Sequence, residues 1–472
     1  MQFNSYSYLL CLPIVVAIFW ALPVHLRRAF VILVSIAFCA TWNAYLVALP
    51  LAFSLLTYLC VTAMRRNPAT APRTARAGIA LVVFVLAAFK YRGFVTQTLP
   101  WIHWPSFAWA AAIGLPLGIS FYSFEAISYL IDTRQGRTPS TSFADLWLFL
   151  VFWPHLIAGP IVRSRELIPQ FSFNKRFEGR FVIEGMDRLL LGLVQKNLIA
   201  NNIGPWVDDG FLPTIARLNT TLDNWCLAVA FGLQIYFDFA AYTNMAIGAA
   251  RMIGVTLPDN FRAPYYAATP VDFWSRWHMT LSRWIRDYAF FPLNAGLQDR
   301  KARLYLSLVA VMGVVGLWHG AGWGFVLWGV MHGTYLVVYR AVAGDARPES
   351  RGLATRLFWR AFTLAGVAAA WVPFRATSLS QAGLMLSSMF WRFSRGLSYS
   401  VNFYLVTLMT CGFCLVEPWL QRLIQRVDEL TGRSSGAVRA MTYCVRPLAY
   451  ACLLLLFLIF DDRDTQFIYF QF

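Results

Sequence analysis

Apolar runs of roughly 17–25 residues recur along nearly the whole chain, each long enough to cross a hydrocarbon core about 30 Å thick. Nothing else in the sequence narrows the fold as much. A backbone in hydrocarbon has no water to bond, so each run must satisfy its own N–H and C=O groups as a helix. The runs lie near residues 6–26, 29–49, 50–64, 78–95, 107–131, 143–159, 184–203, 221–253, 303–318, 322–341, 355–374, 400–417 and 441–460. Of these, 50–64 is short for a crossing, and 184–203 carries Asp187, Arg188, Gln195 and Lys196 and is expected to sit shallow. About eleven spans remain. With 58% hydrophobic and 13% charged residues, against about 25% charged in an average soluble domain, the chain reads as an all-α polytopic membrane protein. No internal repeat and no long linker divides it, so a single membrane domain over 1–472 is expected.

The formal net charge of +17 would suggest nucleic acid in a soluble protein. Here the basic residues fall between apolar runs, at Arg27 and Arg28, at Arg65, Arg66, Arg73 and Arg76, at Arg134 to Arg137, and from Arg422 to Arg446. The positive-inside rule makes those loops cytoplasmic and the N-terminus external. An anionic bilayer surface is the partner this pattern fits, and no nucleic acid is expected, because no basic-aromatic motif accompanies the charge. The first run has no basic residue before it and no small-residue cleavage site, so it reads as a retained span. The cysteines, such as Cys11, Cys39, Cys60 and Cys452, show neither a disulfide framework nor zinc spacing, and no metal site is expected.

Two histidines stand out, because a titratable imidazole is costly to desolvate and usually faces a cavity or a reaction centre. His278 lies in Phe273-Trp-Ser-Arg-Trp-His-Met-Thr-Leu-Ser-Arg-Trp-Ile-Arg-Asp-Tyr288. Read as one helix, Trp274, Trp277, Leu281, Trp284, Ile285 and Tyr288 share a face opposite Arg276, Arg283, Arg286 and Asp287, which predicts an interfacial or dipping helix. His319 closes the run 304–317 in Gly316-Leu-Trp-His-Gly-Ala-Gly322. A helix that ends at membrane depth is tolerated only inside protein or beside a wet cavity. With Trp318 and Trp323 beside it, His319 points to a central tunnel or reaction chamber; a satisfied structural histidine is the plainer alternative.

A third polar cluster is Gln234-Ile-Tyr-Phe-Asp-Phe-Ala-Ala-Tyr-Thr-Asn244. Asp238 must find a partner within the membrane, an arginine or histidine by expectation, and Gln234, Asp238 and Tyr242 form one stripe. A structural ion pair between helices competes with a site role. His25 and His103 read as solvated boundary residues; for His155 a structural role before Gly159-Pro160 and a catalytic one both stay open, as do a supporting place behind His319 and a plain packing role for His332.

Taken in order, several blocks resemble the membrane-bound O-acyltransferase family, in particular its bacterial branch acting on alginate and teichoic acid. They are Phe121-Tyr-Ser-Phe-Glu-Ala-Ile-Ser-Tyr-Leu-Ile-Asp132, Trp153-Pro-His-Leu-Ile-Ala-Gly-Pro-Ile-Val-Arg163, the Gln234 to Asn244 stretch with Leu257-Pro-Asp-Asn-Phe261, the two histidine blocks, Trp371-Val-Pro-Phe-Arg-Ala376 and Phe467-Ile-Tyr-Phe-Gln-Phe472. Phe291-Pro-Leu293 is followed by Asn294-Ala295 where relatives carry paired glycines and a basic turn, which puts the local loop shape in question.

The resemblance implies transfer of an acyl group, by preference acetyl, from a cytoplasmic thioester to an extracytoplasmic hydroxyl on exopolysaccharide or cell-wall glycan. His319 is then the catalytic base and His278 the second catalytic residue, holding the acceptor or donating to the oxyanion. Asp238, Tyr236, Gln234, Arg276, Trp277 and Trp318 are the implied substrate-contacting set. No cofactor is implied; acetyl-CoA or another acyl thioester is the donor substrate. A periplasmic acetyltransferase- or esterase-like partner and a polysaccharide acceptor are the implied partners, and the bacterial inner membrane is the implied location. A transporter or flippase using intramembrane His and Asp as a relay is the alternative; it predicts inverted repeats, which the sequence lacks.

Overall fold

The computed structural model describes residues 2–42, 47–99, 101, 116, 118–138, 141–157, 159–296, 300–344, 352–394, 397–433 and 447–455. Helices dominate, and no strand occurs among the described residues. Seven described helices are long and apolar enough to span: Ala48–Arg66, Ala71–Lys90, Thr221–Met252, Lys301–His319, Trp323–Ala343, Leu353–Arg375 and Val401–Leu420. The shorter Tyr6–Ala21 and Val24–Ala40 precede them. The chain is thus all-α and polytopic, while the expected count of about eleven spans is not reached among the described residues.

Several boundaries differ from the sequence reading. The 50–64 run becomes a 19-residue helix, Ala48–Arg66, because helix formation continues through its two terminal arginines. The 143–159 run holds only the nine-residue helix Phe143–Val151, which ends before Trp153-Pro154, and a residue before proline is biased away from the helical region. The Arg422 to Arg446 stretch starts as helix, within Val401–Arg433. The terminal Phe467–Phe472 block lies outside the described residues.

The chain packs as two compact units, Met1–Gly192 with Tyr242–Asp259, and Leu193–Ala241 with Asn260–Phe472. In the first unit, hydroxyls inside apolar helices bond back along their own helix, Ser35 to the Val31 carbonyl, Ser54 to Pro50 and Thr57 to Phe53, each at 2.8 Å. Buried polar groups are thereby satisfied without water. Arg27, expected in a cytoplasmic loop, is a helix residue instead. It is buried in Val24–Ala40 and donates to the carbonyls of Leu22, Phe173 and Lys175. Glu125 and His155, from two of the family-like blocks, form a buried pair at 3.4 Å.

The second unit is organised by the hairpin of Lys301–His319 and Trp323–Ala343, whose helices meet along glycines. A methyl on Gly316 would lie 2.0 Å from the Phe325 carbonyl oxygen, and one on Gly329 would lie 2.1 Å from that of Met312. Only a hydrogen fits at such a crossing. Gly329→Ala is therefore expected to destabilise the protein by about 1–3 kcal/mol, read as a lower melting temperature in detergent. Gly383→Ala, where nothing lies within 4 Å of the added carbon, is the neutral control. Equal melting temperatures for the two variants would contradict the close crossing.

Candidate active site

The first histidine motif is not one helix. Thr269 caps the start of Pro270–Arg276 by accepting the Asp272 N–H at 3.1 Å, with Pro270 in the first turn where its missing N–H is harmless. The helix stops at Trp277, and His278 adopts a left-handed conformation, φ 41° and ψ 52°, before Met279–Ile285 resumes. The amphipathic face expected over 273–288 is thus broken at the histidine. A non-glycine residue in this region is strained and persists only where its surroundings hold it.

Asn260 supplies that hold. Its backbone carbonyl accepts the Met279 N–H at 2.8 Å. Its side-chain oxygen Oδ1 takes three further bonds, from the Thr280 hydroxyl at 2.8 Å, the Thr280 N–H at 3.3 Å and His278 Nδ1 at 3.1 Å. The imidazole is 0% exposed, and its Nε2 has no hydrogen-bond partner among the described residues. Burial pushes its pKa from the usual 6.5 to about 3, so the ring is neutral at physiological pH and keeps one bare nitrogen. It packs edge-on against Phe239 at 4.7 Å and near Trp318 at 6.4 Å.

His319 is the last residue of Lys301–His319, as its sequence context suggested. Beyond it Gly320 is obligatory, since a methyl there would lie 2.1 Å from the Phe325 ring. The glycine hairpin sets the His319 ring against Trp318 at 4.7 Å, Trp328 at 5.0 Å and Phe374 at 5.6 Å. Trp318 therefore touches both imidazoles, which reach it from separate parts of the chain.

The remaining expected residues divide. Trp277 is buried among Phe261, Phe273 and Trp371, at 5.2, 5.6 and 5.2 Å. Tyr236 packs on Phe261 at 5.7 Å and Trp277 at 6.2 Å, and donates its hydroxyl to Glu417 Oε1 at 2.8 Å. Gln234 passes over Gly204, where a methyl would come within 3.0 Å of its Nε2. Arg276 is tied by Nε to Asp272 Oδ1 at 2.6 Å on a part-exposed face, which places it in a surface ion pair.

Asp238 has a partner of a different kind from the one expected. Lys196 Nζ lies 2.7 Å from its Oδ1, and the two side chains are only 2% and 3% exposed. Lys196 belongs to a wide π turn, Gln195–Ala200, between the helices Gly179–Val194 and Asn201–Gly210. Such turns re-aim side chains and recur at functional positions. The lysine that suggested a shallow segment is thus buried, its charge matched within the fold. Tyr242 shares the helix Thr221–Met252 with Gln234 and Asp238, and its hydroxyl lies near Gln2 at 3.2 Å and Asn4 at 3.3 Å.

Two residues escaped the sequence reading. Asn260 stands inside a quoted block yet was assigned nothing; a buried amide before a histidine motif was the available signal. Glu417 is a carboxylate within an apolar run, open to the same rule that singled out Asp238. His332 is buried against Trp328 at 4.8 Å and Trp274 at 5.2 Å, and Trp328 also packs on His319 at 5.0 Å. Asn294 bonds the Phe290 carbonyl at 2.8 Å and accepts the Ser307 hydroxyl at 2.7 Å, so it is fastened to the Lys301–His319 helix.

Comparison with known proteins agrees with the resemblance. A profile described as MBOAT, membrane-bound O-acyltransferase family, matches residues 34–347. A "Probable alginate O-acetylase" of Azotobacter vinelandii is 37% identical over 399 residues, 83% of this chain and 78% of that relative. A "Peptidoglycan O-acetyltransferase" of Helicobacter pylori is 33% identical, over 77% of this chain and 73% of its own. A "Teichoic acid D-alanyltransferase" of Bacillus subtilis is 28% identical, over 47% of this chain and 58% of its own. The transporter alternative gains nothing from these matches.

Proposed function

The chain belongs to the membrane-bound O-acyltransferase family, and from that premise we propose that it moves an acetyl group from cytoplasmic acetyl-CoA to an extracytoplasmic hydroxyl, for the acetylation of a glycan. The relatives' printed activities, on alginate and peptidoglycan, support acetyl as the group and glycan as the acceptor class. The observation that carries the reading is the contact of Trp318 with both His278 and His319.

The reaction forms a C–O bond and breaks a C–S bond. One proton must leave the hydroxyl and one must reach the departing sulfur. A neutral imidazole does both at physiological pH, and positioned general acid–base groups contribute about 10²–10⁴ in rate. We assign this proton traffic to the pair, with His319 the histidine on which transfer depends. The surrounding Trp318, Trp328 and Phe374 rings keep water from the thioester, which would otherwise hydrolyse. Trp277 and Tyr236 support the walls from behind. Asp238 shapes the site through Lys196 rather than by binding substrate, and Arg276 lies aside in its surface pair.

A donor made inside the cell and an acceptor outside it fit the bacterial cytoplasmic membrane. A periplasmic esterase-like relay protein then carries the acetyl group to the polymer. The test is purified enzyme in proteoliposomes with labelled acetyl-CoA, assayed with an oligosaccharide alone and with periplasmic extract added. Label on glycan only with extract supports the relay; efficient transfer to the oligosaccharide without it refutes the relay. Absence of acceptor-dependent thiol release under both conditions refutes the acetyltransferase reading.

A further inference from the structure

We infer that Asn260 is a positioning residue that fixes His278 in its Nδ1–H tautomer, so that the bare Nε2 of His278, and not an N–H, faces the acceptor hydroxyl. The inference rests on the acyl-transfer reading above and deepens it by dividing the work of the two histidines.

The tautomer follows from the direction of the hydrogen bonds. The Thr280 backbone N–H points at the Asn260 side-chain atom 3.3 Å away and can only donate, so that atom is the carbonyl oxygen and the amide orientation is fixed. The Thr280 hydroxyl donates to the same oxygen at 2.8 Å. His278 Nδ1 shares it at 3.1 Å and must therefore carry a hydrogen. A neutral imidazole holds one N–H, which leaves Nε2 with its lone pair. That atom is buried and unbonded among the described residues, beside a ring that also touches Trp318. The left-handed backbone at His278, anchored by the Asn260 carbonyl through Met279, fixes the ring's position as well as its proton.

In this state His278 cannot donate to a developing oxyanion. It accepts. The acceptor alcohol gives its O–H hydrogen to Nε2, its oxygen lone pair forms the new bond to the thioester carbonyl carbon, and the C–S pair departs on sulfur. The proton held by His278 balances the thiolate, reaching sulfur as thiol through the His319 side of the pocket. An asparagine suits this duty because its side-chain oxygen can only accept, so it holds the hydrogen on Nδ1.

The test begins with the unaltered enzyme in nanodiscs, using ¹⁵N-histidine NMR with the His278 signals identified by their loss in His278→Gln. An Nδ1-protonated, Nε2-bare ring is expected; an Nε2-protonated ring overturns the inference while leaving the acetyltransferase reading intact. Asn260→Ala is expected to lower kcat about 10²–10³-fold with little change in KM for acetyl-CoA, and to release the His278 signals into a tautomer mixture. Asn260→Asp keeps an acceptor at the same place and is expected to recover at least tenfold over the alanine variant. Wild-type kcat in Asn260→Ala, or no recovery in Asn260→Asp, overturns it.

Discussion

Replacing His319 with alanine is expected to reduce acyl transfer by about 10²–10⁴-fold, the contribution of a positioned acid–base group, without unfolding the protein. The ring ends a helix whose place is set elsewhere, by the glycine crossings at Gly316 and Gly329 and by Gly320 against Phe325. Its removal leaves a gap among Trp318, Trp328 and Phe374. Melting temperature and donor affinity should therefore stay near wild type while turnover collapses. Steady-state release of thiol, measured with the melting curve on one preparation, separates the two effects. Retained turnover removes His319 from the chemistry.

The second large effect concerns the Lys196–Asp238 pair. Breaking a buried ion pair by removing one partner leaves an uncompensated charge and typically costs about 3–5 kcal/mol. Asp238→Ala and Lys196→Ala are each expected to lose that much stability or to fail to accumulate in the membrane. The double variant Lys196→Met with Asp238→Leu removes both charges and is expected to recover most of the loss. Recovery of stability and activity together means that the carboxylate serves the fold. Recovery of stability with activity still lost means that Asp238 also meets the substrate, contrary to the assignment made above.

The reason Asp238 was legible and Lys196 was not is physical. A carboxylate in an apolar run announces that it needs a counter-charge, but the run does not say which segment supplies it. Lys196 lies in a segment whose polarity suggested an interface, and only the π turn at 195–200 carries its ammonium inward. The helices themselves could be read because hydrocarbon forces helix formation wherever apolar residues run long enough. Segment ends were harder. The helix Ala48–Arg66 extends through residues that hydropathy alone would exclude, and Phe143–Val151 stops well short of its apolar run.

At the site, the helix terminus at His319 was visible in the glycines beside it. The left-handed turn at His278 was not, because the helical periodicity of 273–288 continues across the break without a glycine or proline to mark it. What imposes the turn is Asn260, eighteen residues earlier in the chain, through contacts that local pattern cannot encode. Periodicity reports the face a segment would bury as a helix; a tertiary hydrogen bond decides whether the segment stays one.

The central claim, that His278 and His319 serve one reacting centre, is tested most directly by a cryo-EM structure of the enzyme with a non-transferable acetyl-CoA thioether. The expected map places the acetyl carbon in near-attack range of a bound alcohol, with the oxygen about 3–3.5 Å from the carbon, and with the His278 and His319 rings both lining that space beside Trp318. A map that seats the acetyl group away from these rings, with dry protein filling the space around them, contradicts it.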